Sequence, residues 1–410
     1  MKGESPLMRD PDSSQAAHRF LFLFSDTGGG HRASAQAVKD EMHRIYGSWI
    51  AVEMVDVFVE LDRWPFSNLP DLYPTMVGLK GIPWGMWFHL SDGIKRVKAL
   101  SKLLWPYVKS SLCELLRRHP ADAIISFHPV PNYALTLSLQ AMGWRTPLAI
   151  IAVDLVTVHA CWFVPGGDLY TVPTRAAKAR AIHWGISPQT IEVTGMPIRR
   201  GFVEAMTLSQ PAARQRLGLP LDKPVVLMMG GGEGMGPLLD VVRAVGQRVR
   251  DAHLVAIAGH NRELYDELRG LSVPASLQIE GFVSNMESWM RAADILVTKA
   301  GPNTLAEAFV TGLPLVLYTA LPGQEEGNVT HVVENRAGVW ASDPEKAAGI
   351  VEMLIRDPQK RAAMAARSQA LGKPDATERI ARCLSSLTFE QIPDYVVPWS
   401  PERTSWVYPF

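Results

Sequence analysis

Short apolar runs punctuate this chain, each closed by glycine or by a polar turn. Arg19–Phe24 is the first, and beyond its arginine it holds only Phe and Leu. A run apolar at every position predicts a strand covered on both faces, as in a parallel sheet. It closes in the turn Ser25–Gly30, which ends in three glycines. Ala33–Ile45 then carries apolar residues near helical spacing, and Ile50–Val57 reads as a second strand. Strand, glycine loop, helix and strand open a doubly wound α/β sheet. The alternation returns at Ala121–Ser126, Leu148–Val153 and Ile191–Thr194.

The pattern then starts again. Lys223–Met229 is a strand and Gly230–Gly236 a glycine loop, followed by a helix to about Arg250 and a strand at His253–Ala258. Further strands are expected at Ser276–Ile279, Asp294–Thr298 and Leu313–Leu317. Two series of similar length predict an α/β chain of two Rossmann-like doubly wound domains facing across a cleft. The expected division is a polar disordered tail over 1–18, a first domain over 19–197, a second over 198–387 and a tail over 388–410. That last tail is rich in proline and aromatic residues, and reads equally as a strap over a domain or as a frayed end. In open α/β sheets ligands bind beyond the carboxyl ends of the strands, where both glycine loops fall.

Composition narrows the function classes. The chain has 410 residues, 47% of them hydrophobic, enough for two cores. Lys plus Arg and Asp plus Glu number 41 each, so there is no overall pull toward nucleic acid. Cys113, Cys161 and Cys383 are scattered and form neither a disulfide framework nor a metal motif. That favours a reducing cytoplasm. The first 18 residues lack a signal-type apolar core, and no apolar stretch reaches the ~18–20 residues needed to span a bilayer.

Three segments carry candidate chemistry. The first runs from Ser25 to Ala35. Gly29 and Gly30 let the backbone approach a ligand, and the following helix offers free N–H groups. His31 at the helix start reads either as a solvated loop residue or as a base for a hydroxyl proton near neutral pH, oriented by Asp26 or another carboxylate. Gly28, Gly30 and Ala33, with Asp56 ending the second strand, also fit a dinucleotide-binding pattern. The second segment, Gly230, Gly231, Gly232 and onward to Gly236, suits a diphosphate or a plain turn. No Gly-Lys-Ser/Thr follows, which excludes a P-loop NTPase. The third is the densest. Lys299, Gly301, Pro302, Asn303 and Thr304 open a helix on which Glu307 sits among apolar neighbours, where a carboxylate needs partners such as paired ribose hydroxyls. Gln324, Glu325 and Asn328 follow in a glycine-rich loop suited to reading sugar hydroxyls. His128, Asp154 and His159 are further candidates near the cleft.

Residues 64–109 stand apart. They include Trp64, Trp84, Trp87 and Trp105, and from Lys80 to Lys109 six basic residues face one acid, Asp92. Indoles and basic side chains together suit an anionic lipid surface, although tryptophans also fill cores. An interfacial, non-spanning contact is expected.

Ser25–Ala35 resembles the amino-terminal signature of monogalactosyldiacylglycerol synthases and the related processive diacylglycerol glucosyltransferases. Val153–His159 with Trp162 resembles the second signature of their acceptor domain. Thr298–Pro302, Pro322–Glu325 and Gly327–Asn328 are similar to their donor site. The likeness runs in order from about Phe20 to Arg382. It implies a GT-B fold, a UDP-hexose donor, diacylglycerol as acceptor, and metal-independent transfer with inversion, without a cofactor. It also implies that Glu307 holds the uridine ribose, that Gly230–Gly236 meets the diphosphate, that the backbone of Phe282 and Val283 meets uracil, and that His31 activates the acceptor. It places the protein peripherally on the cytoplasmic face of a membrane, responsive to anionic lipids. Asn303 and Ala160 depart from the pattern beside the diphosphate and after His159. N-acetylglucosaminyltransferases acting on a polyprenyl-type lipid rank second. An NAD(P)-dependent oxidoreductase and a non-catalytic binding protein remain from other classes, whereas a UDP-sugar epimerase, which shares the two-domain architecture, has no use for a tryptophan-rich basic surface.

Overall fold

The computed structural model describes residues 17–26, 29–64 and 82–388. Most of both expected tails, together with Gly28, Phe66, Tyr73 and Lys80, lies outside those residues. The first half is a six-stranded parallel sheet in the order β2-β1-β3-β4-β5-β6. Its strands are β1 (His18–Phe24), β2 (Ile50–Asp56), β3 (Ala123–Ser126), β4 (Leu148–Ile151), β5 (Leu169–Val172) and β6 (Ile191–Val193). The second half holds β7 (Val225–Met229), β8 (His253–Ile257), β9 (Ser276–Glu280), β10 (Ile295–Lys299), β11 (Leu315–Thr319) and β12 (Gly338–Trp340). Its order, β12-β11-β10-β7-β8-β9, is the doubly wound arrangement with a switch point between β10 and β7.

The central strands are apolar on both faces because helices cover both. Phe20 to Phe24 and Val225 to Met229 are all buried. Two strands escape the sequence pattern. β5 is four residues between Asp168 and Pro173, and β12 is three residues beginning with glycine, so neither shows a period. Both are read as strands only because a neighbour pairs with them.

The last helix, Ala376–Ser385, falls within the expected second domain yet packs on helix Gly30–Tyr46 of the first. Tyr46 Oη and Ser385 Oγ are 2.7 Å apart. Thr377 Oγ1 also donates to Ile198 O and accepts from Ile198 N, at 2.7 and 2.9 Å. The chain thus crosses between halves near 195–199 and again near 373–377. These crossings tether one end of the cleft.

Candidate active site

The cleft is lined by loops at the carboxyl ends of β1, β3, β4, β7 and β10. His31 is the second residue of helix 30–46, directly after the first glycine turn. Its Nδ1 lies 2.7 Å from Phe127 O, which can only accept, so Nδ1 carries the proton. The neutral ring therefore presents Nε2 as a free lone pair. Burial pushes the imidazole down to about 4, against the opposing pull of the Phe127 carbonyl. His31 is thus a neutral acceptor of protons across the physiological range. Asp26 does not orient it, as sequence reasoning expected: its carboxylate is forked onto Arg32, with Oδ1 at 2.6 Å from Nε. The orienting group is a backbone carbonyl, which no side-chain pattern announces.

Around His31 lie His128, its ring centroid 4.6 Å away, and Trp162, at 6.1 Å. His128 is buried, and desolvation holds it well below the usual imidazole range. Trp162 is fully buried, so it is no surface contact for acceptor or membrane. Its indole N–H donates to Asp154 Oδ2 at 2.7 Å. Asp154 is itself buried, and desolvation pushes it up to about 6. His159 is committed to structure. Its Nδ1 accepts from Cys161 N at 3.1 Å, its Nε2 faces Ser91 Oγ at 3.1 Å, and Trp87 stacks on it at 5.9 Å. It therefore pins helix Ile82–Ser91 to the first half.

On the opposite wall, helix Pro302–Thr311 begins at Gly301 with proline in its first turn, and no side chain caps its first N–H groups. Asn303 reaches across, donating from Nδ2 to Gly30 O at 3.2 Å and to Ser34 Oγ at 3.4 Å. Thr304 is buried beside it. Glu307 lies deeper in the cleft wall, where desolvation pushes its carboxyl up to about 8 although Arg199 opposes this. The Gly230–Gly236 loop folds onto itself and onto the loop after β8. Met235 N donates to Gly230 O at 2.9 Å, and His260 N to Gly232 O at 2.8 Å. Gly231 has φ 79°, and a Cβ there would stand 3.3 Å from Lys299 Cε. A Cβ on Gly232 would meet nothing within 4 Å, which leaves that face of the loop open. Phe282 is 59% exposed and stacked on His260 at 4.0 Å, with Val283 half-buried beside it. His260 was not singled out from sequence, because a histidine after an ordinary strand has no distinguishing spacing.

The 321–328 loop is wired into this wall. Glu325 was expected to read sugar hydroxyls. It is instead buried, with Oε1 on Lys299 Nζ at 2.6 Å and Oε2 accepting from Leu321 N at 2.9 Å. Asn328 donates to Ala300 O at 2.9 Å. Gln324 Nε2 crosses the cleft to Asp154 Oδ1 at 2.8 Å. Buried Oε1 of Gln324 and Oδ1 of Asn328 lack protein partners, so both are open to a donor such as a hydroxyl. Asp56 is spent on structure, with Oδ1 accepting from Phe58 N and Val59 N and Oδ2 from Asp26 N. The acid that a dinucleotide site would need is therefore engaged elsewhere.

Helix 82–91 and helix Ile94–Arg118 form an outlying layer on the first half. Ile82, Met86 and Leu90 recur at helical spacing and are exposed, as are Leu100, Leu103, Leu104 and Tyr107. Lys95, Arg96 and Lys102 flank them in solvent. Of the expected aromatic contacts, Trp64 is exposed and Trp87 partly so. Trp84 packs on Trp87 at 5.4 Å, and Trp105 turns inward to donate to Ser138 Oγ at 3.2 Å. Among the described residues no helix is long and apolar enough to cross a membrane. No cluster of three or more metal-ligating side chains is found among them either.

The profile of the monogalactosyldiacylglycerol (MGDG) synthase family matches residues 31–198, and that of the glycosyltransferase family 28 C-terminal domain matches 225–380. A probable monogalactosyldiacylglycerol synthase 2 of Oryza sativa subsp. japonica is 37% identical over 343 residues, 81% of this chain and 72% of that one. Monogalactosyldiacylglycerol synthase 3 of Arabidopsis thaliana is 33% identical over 381 residues, 90% of this chain and 82% of that one. Among solved structures, S. aureus MnaA with UDP superposes with TM-score 0.61 at 14% identity, covering 92% of this chain and 99% of that one. Acinetobacter baumannii MurG gives 0.57 at 15%, covering 90% and 99%. At such low identity these likenesses speak to architecture alone, which is the GT-B fold.

Proposed function

Because this chain belongs to the monogalactosyldiacylglycerol synthase family of glycosyltransferases, we propose that it transfers a hexose from a UDP-sugar to the free hydroxyl of diacylglycerol, with inversion, on the cytoplasmic face of a membrane. The observation that carries this reading is the tautomer of His31. Phe127 O fixes the proton on Nδ1, which leaves Nε2 as the basic nitrogen of the ring.

In this reading the diphosphate lies on the Gly230–Gly232 turn and at the N-terminus of helix 302–311, whose unpaired N–H groups and positive dipole end favour anions. The ribose diol donates to Glu307. Uracil lies against the backbone of Phe282 and Val283, beside His260. The hexose donates to Gln324 Oε1 and Asn328 Oδ1, whose loop is held rigid by the Lys299–Glu325 pair. The acceptor oxygen gives its proton to His31 Nε2 as it bonds to the anomeric carbon from the first half. The bond from that carbon to the diphosphate oxygen breaks on the far side, and UDP leaves with the electron pair. Helix 302–311 then meets the leaving charge electrostatically, so the reading calls on no metal ion and no cofactor. The exposed apolar stripes and their lysines would hold the protein on anionic lipid, each basic residue contributing about 1 kcal/mol near the surface.

The test is label transfer from UDP-galactose or UDP-glucose into diacylglycerol in micelles containing anionic lipid, with the anomeric configuration of the product read by NMR. A β-linked monohexosyl lipid supports the reading. No lipid label from either donor overturns it, and a polyprenyl phosphate acceptor with UDP-N-acetylglucosamine then becomes the alternative to assay.

A further inference from the structure

Lys299 is the last residue of β10, and the pairing of β10 with β11 slips by one residue between Thr298 and Lys299. A bulge of that kind re-aims a side chain. Here the ammonium comes to lie beside two glycine turns. A Cβ on Gly301, where helix 302–311 begins, would stand 3.2 Å from Lys299 Nζ, and one on Gly231 would stand 3.3 Å from Lys299 Cε. Neither position could carry a side chain without pressing on the lysine. These two turns are the ones assigned to the diphosphate.

The ammonium is held but not used up. Nζ donates to Glu325 Oε1 at 2.6 Å, while Glu325 Oε2 accepts from Leu321 N at 2.9 Å. An ammonium has three N–H donors, and no second acceptor meets this one among the described residues. The pair is also largely removed from water, with side chains 14% and 3% exposed. A buried ion pair seldom stabilises a fold more than apolar residues of the same size would. Fold stability therefore does not account for this one, which has donors to spare at a ligand wall. Arg199, the cation beside Glu307, is committed elsewhere, donating to Ser284 O at 3.0 Å and to Glu287 Oε2 at 3.3 Å.

We infer that Lys299 donates to the diphosphate oxygens of the bound UDP-sugar and stabilises the charge of the leaving group. Glu325 keeps the ammonium charged before the donor arrives. This rests on the placement of the diphosphate at Gly230–Gly232 and helix 302–311. As the bond from the anomeric carbon to the diphosphate oxygen breaks, its electron pair stays on that oxygen. The helix end offers about half an elementary charge to it. Lys299 brings a whole one, already in position, and keeps its proton throughout.

The experiment compares UDP and uridine affinity of the full chain by calorimetry. The proteins are wild type, Glu325→Gln and the double variant Lys299→Met/Glu325→Gln. The double variant removes both charges, so it leaves no buried unpaired ion and no change in net charge. It should bind UDP about tenfold more weakly than wild type or worse, and uridine as wild type does. Its transfer step at saturating UDP-sugar should be slower by about 10²–10³. Glu325→Gln keeps the ammonium and should bind UDP at least as tightly as wild type. Equal UDP affinity in wild type and the double variant overturns the assignment, and so does an equal loss of UDP and uridine. An equal loss of UDP affinity in Glu325→Gln and the double variant overturns it too, because the pair would then only brace the loop. A wild type that binds UDP no more tightly than uridine is a different failure: it removes the diphosphate site itself, and the donor placement falls with it.

Discussion

Gln324 of the second half donates from Nε2 to Asp154 Oδ1 of the first, 2.8 Å across the cleft. The same carboxylate takes the indole N–H of Trp162, whose ring lies against His31. One buried anion therefore touches both the loop assigned to the donor sugar and the packing around the base. Because burial pushes Asp154 up to about 6, the doubly accepting form is complete above that pH and is lost as pH falls through it.

This sets a pH limb. Activity should decline on the acid side with a midpoint near 6. Neutral His31 protonates only near 4 and cannot supply that midpoint. Asp154→Asn leaves only one accepting oxygen for two donors, so kcat/KM should drop 10-fold or more, on the scale of about 1.5–3 kcal/mol for a charged hydrogen bond. Its kcat at saturating UDP-sugar should be flat with pH near 6. A limb unchanged in Asp154→Asn would assign it to another group.

Glu307 should couple donor binding to proton release. At about 8 its carboxyl is mostly protonated at pH 7, and a ribose diol that donates to it favours the ionised form. UDP affinity should therefore rise between pH 6 and 8, with protons released in buffers of different ionisation heat. Glu307→Gln should weaken UDP tenfold or more and abolish that pH dependence. An equal pH dependence in wild type and variant, read by calorimetry, would remove Glu307 from the ribose site.

Much of this was legible in the chain. Runs such as Phe20–Phe24 and Val225–Met229 announced themselves because burial on both faces leaves no polar position. His31 and Glu307 stood out because a titratable group in a glycine turn, or among apolar neighbours, needs a reason. What could not be read were relationships made only on folding. Phe127 orients His31 through a backbone oxygen, and Gln324 finds Asp154 across 170 positions of sequence. Glu325 and Asn328 looked alike as polar loop residues. Only packing commits Glu325 to Lys299 while leaving one Asn328 oxygen open.

Helix 82–91 sits directly on the donor-side loop. A Cβ on Gly85 would fall 2.7 Å from Pro322 Cβ, and one on Gly323, at φ 78°, would fall 2.6 Å from the Phe88 ring. Gly85→Val should push this helix off the loop and raise the UDP-sugar KM several-fold, although Gly85 touches no substrate. Gly323→Ala adds backbone strain of about 1–2 kcal/mol and should act in the same direction. Unchanged donor KM in both variants would mean that the helix and the loop are uncoupled.

The neutral state of His31 has a cost in acid. Between about 4 and 6.5 the unfolded chain binds a proton at this site that the folded chain refuses, so stability rises with pH across that window and is level above it. His31→Ala removes this contribution. The melting temperature of wild type relative to the variant should therefore fall as pH drops from 6.5 to 4. A constant difference across that range would contradict a buried neutral imidazole.

The central claim is that His31 is the base of a sugar transfer to diacylglycerol, and single-turnover transfer by wild type and His31→Ala tests it most directly. With saturating UDP-hexose and diacylglycerol in anionic micelles, the variant should bind UDP as wild type does. Its chemical step should be slower by about 10²–10⁴, the usual contribution of a general base. A variant that transfers sugar at the wild-type rate would contradict the account and leave the proton to another group.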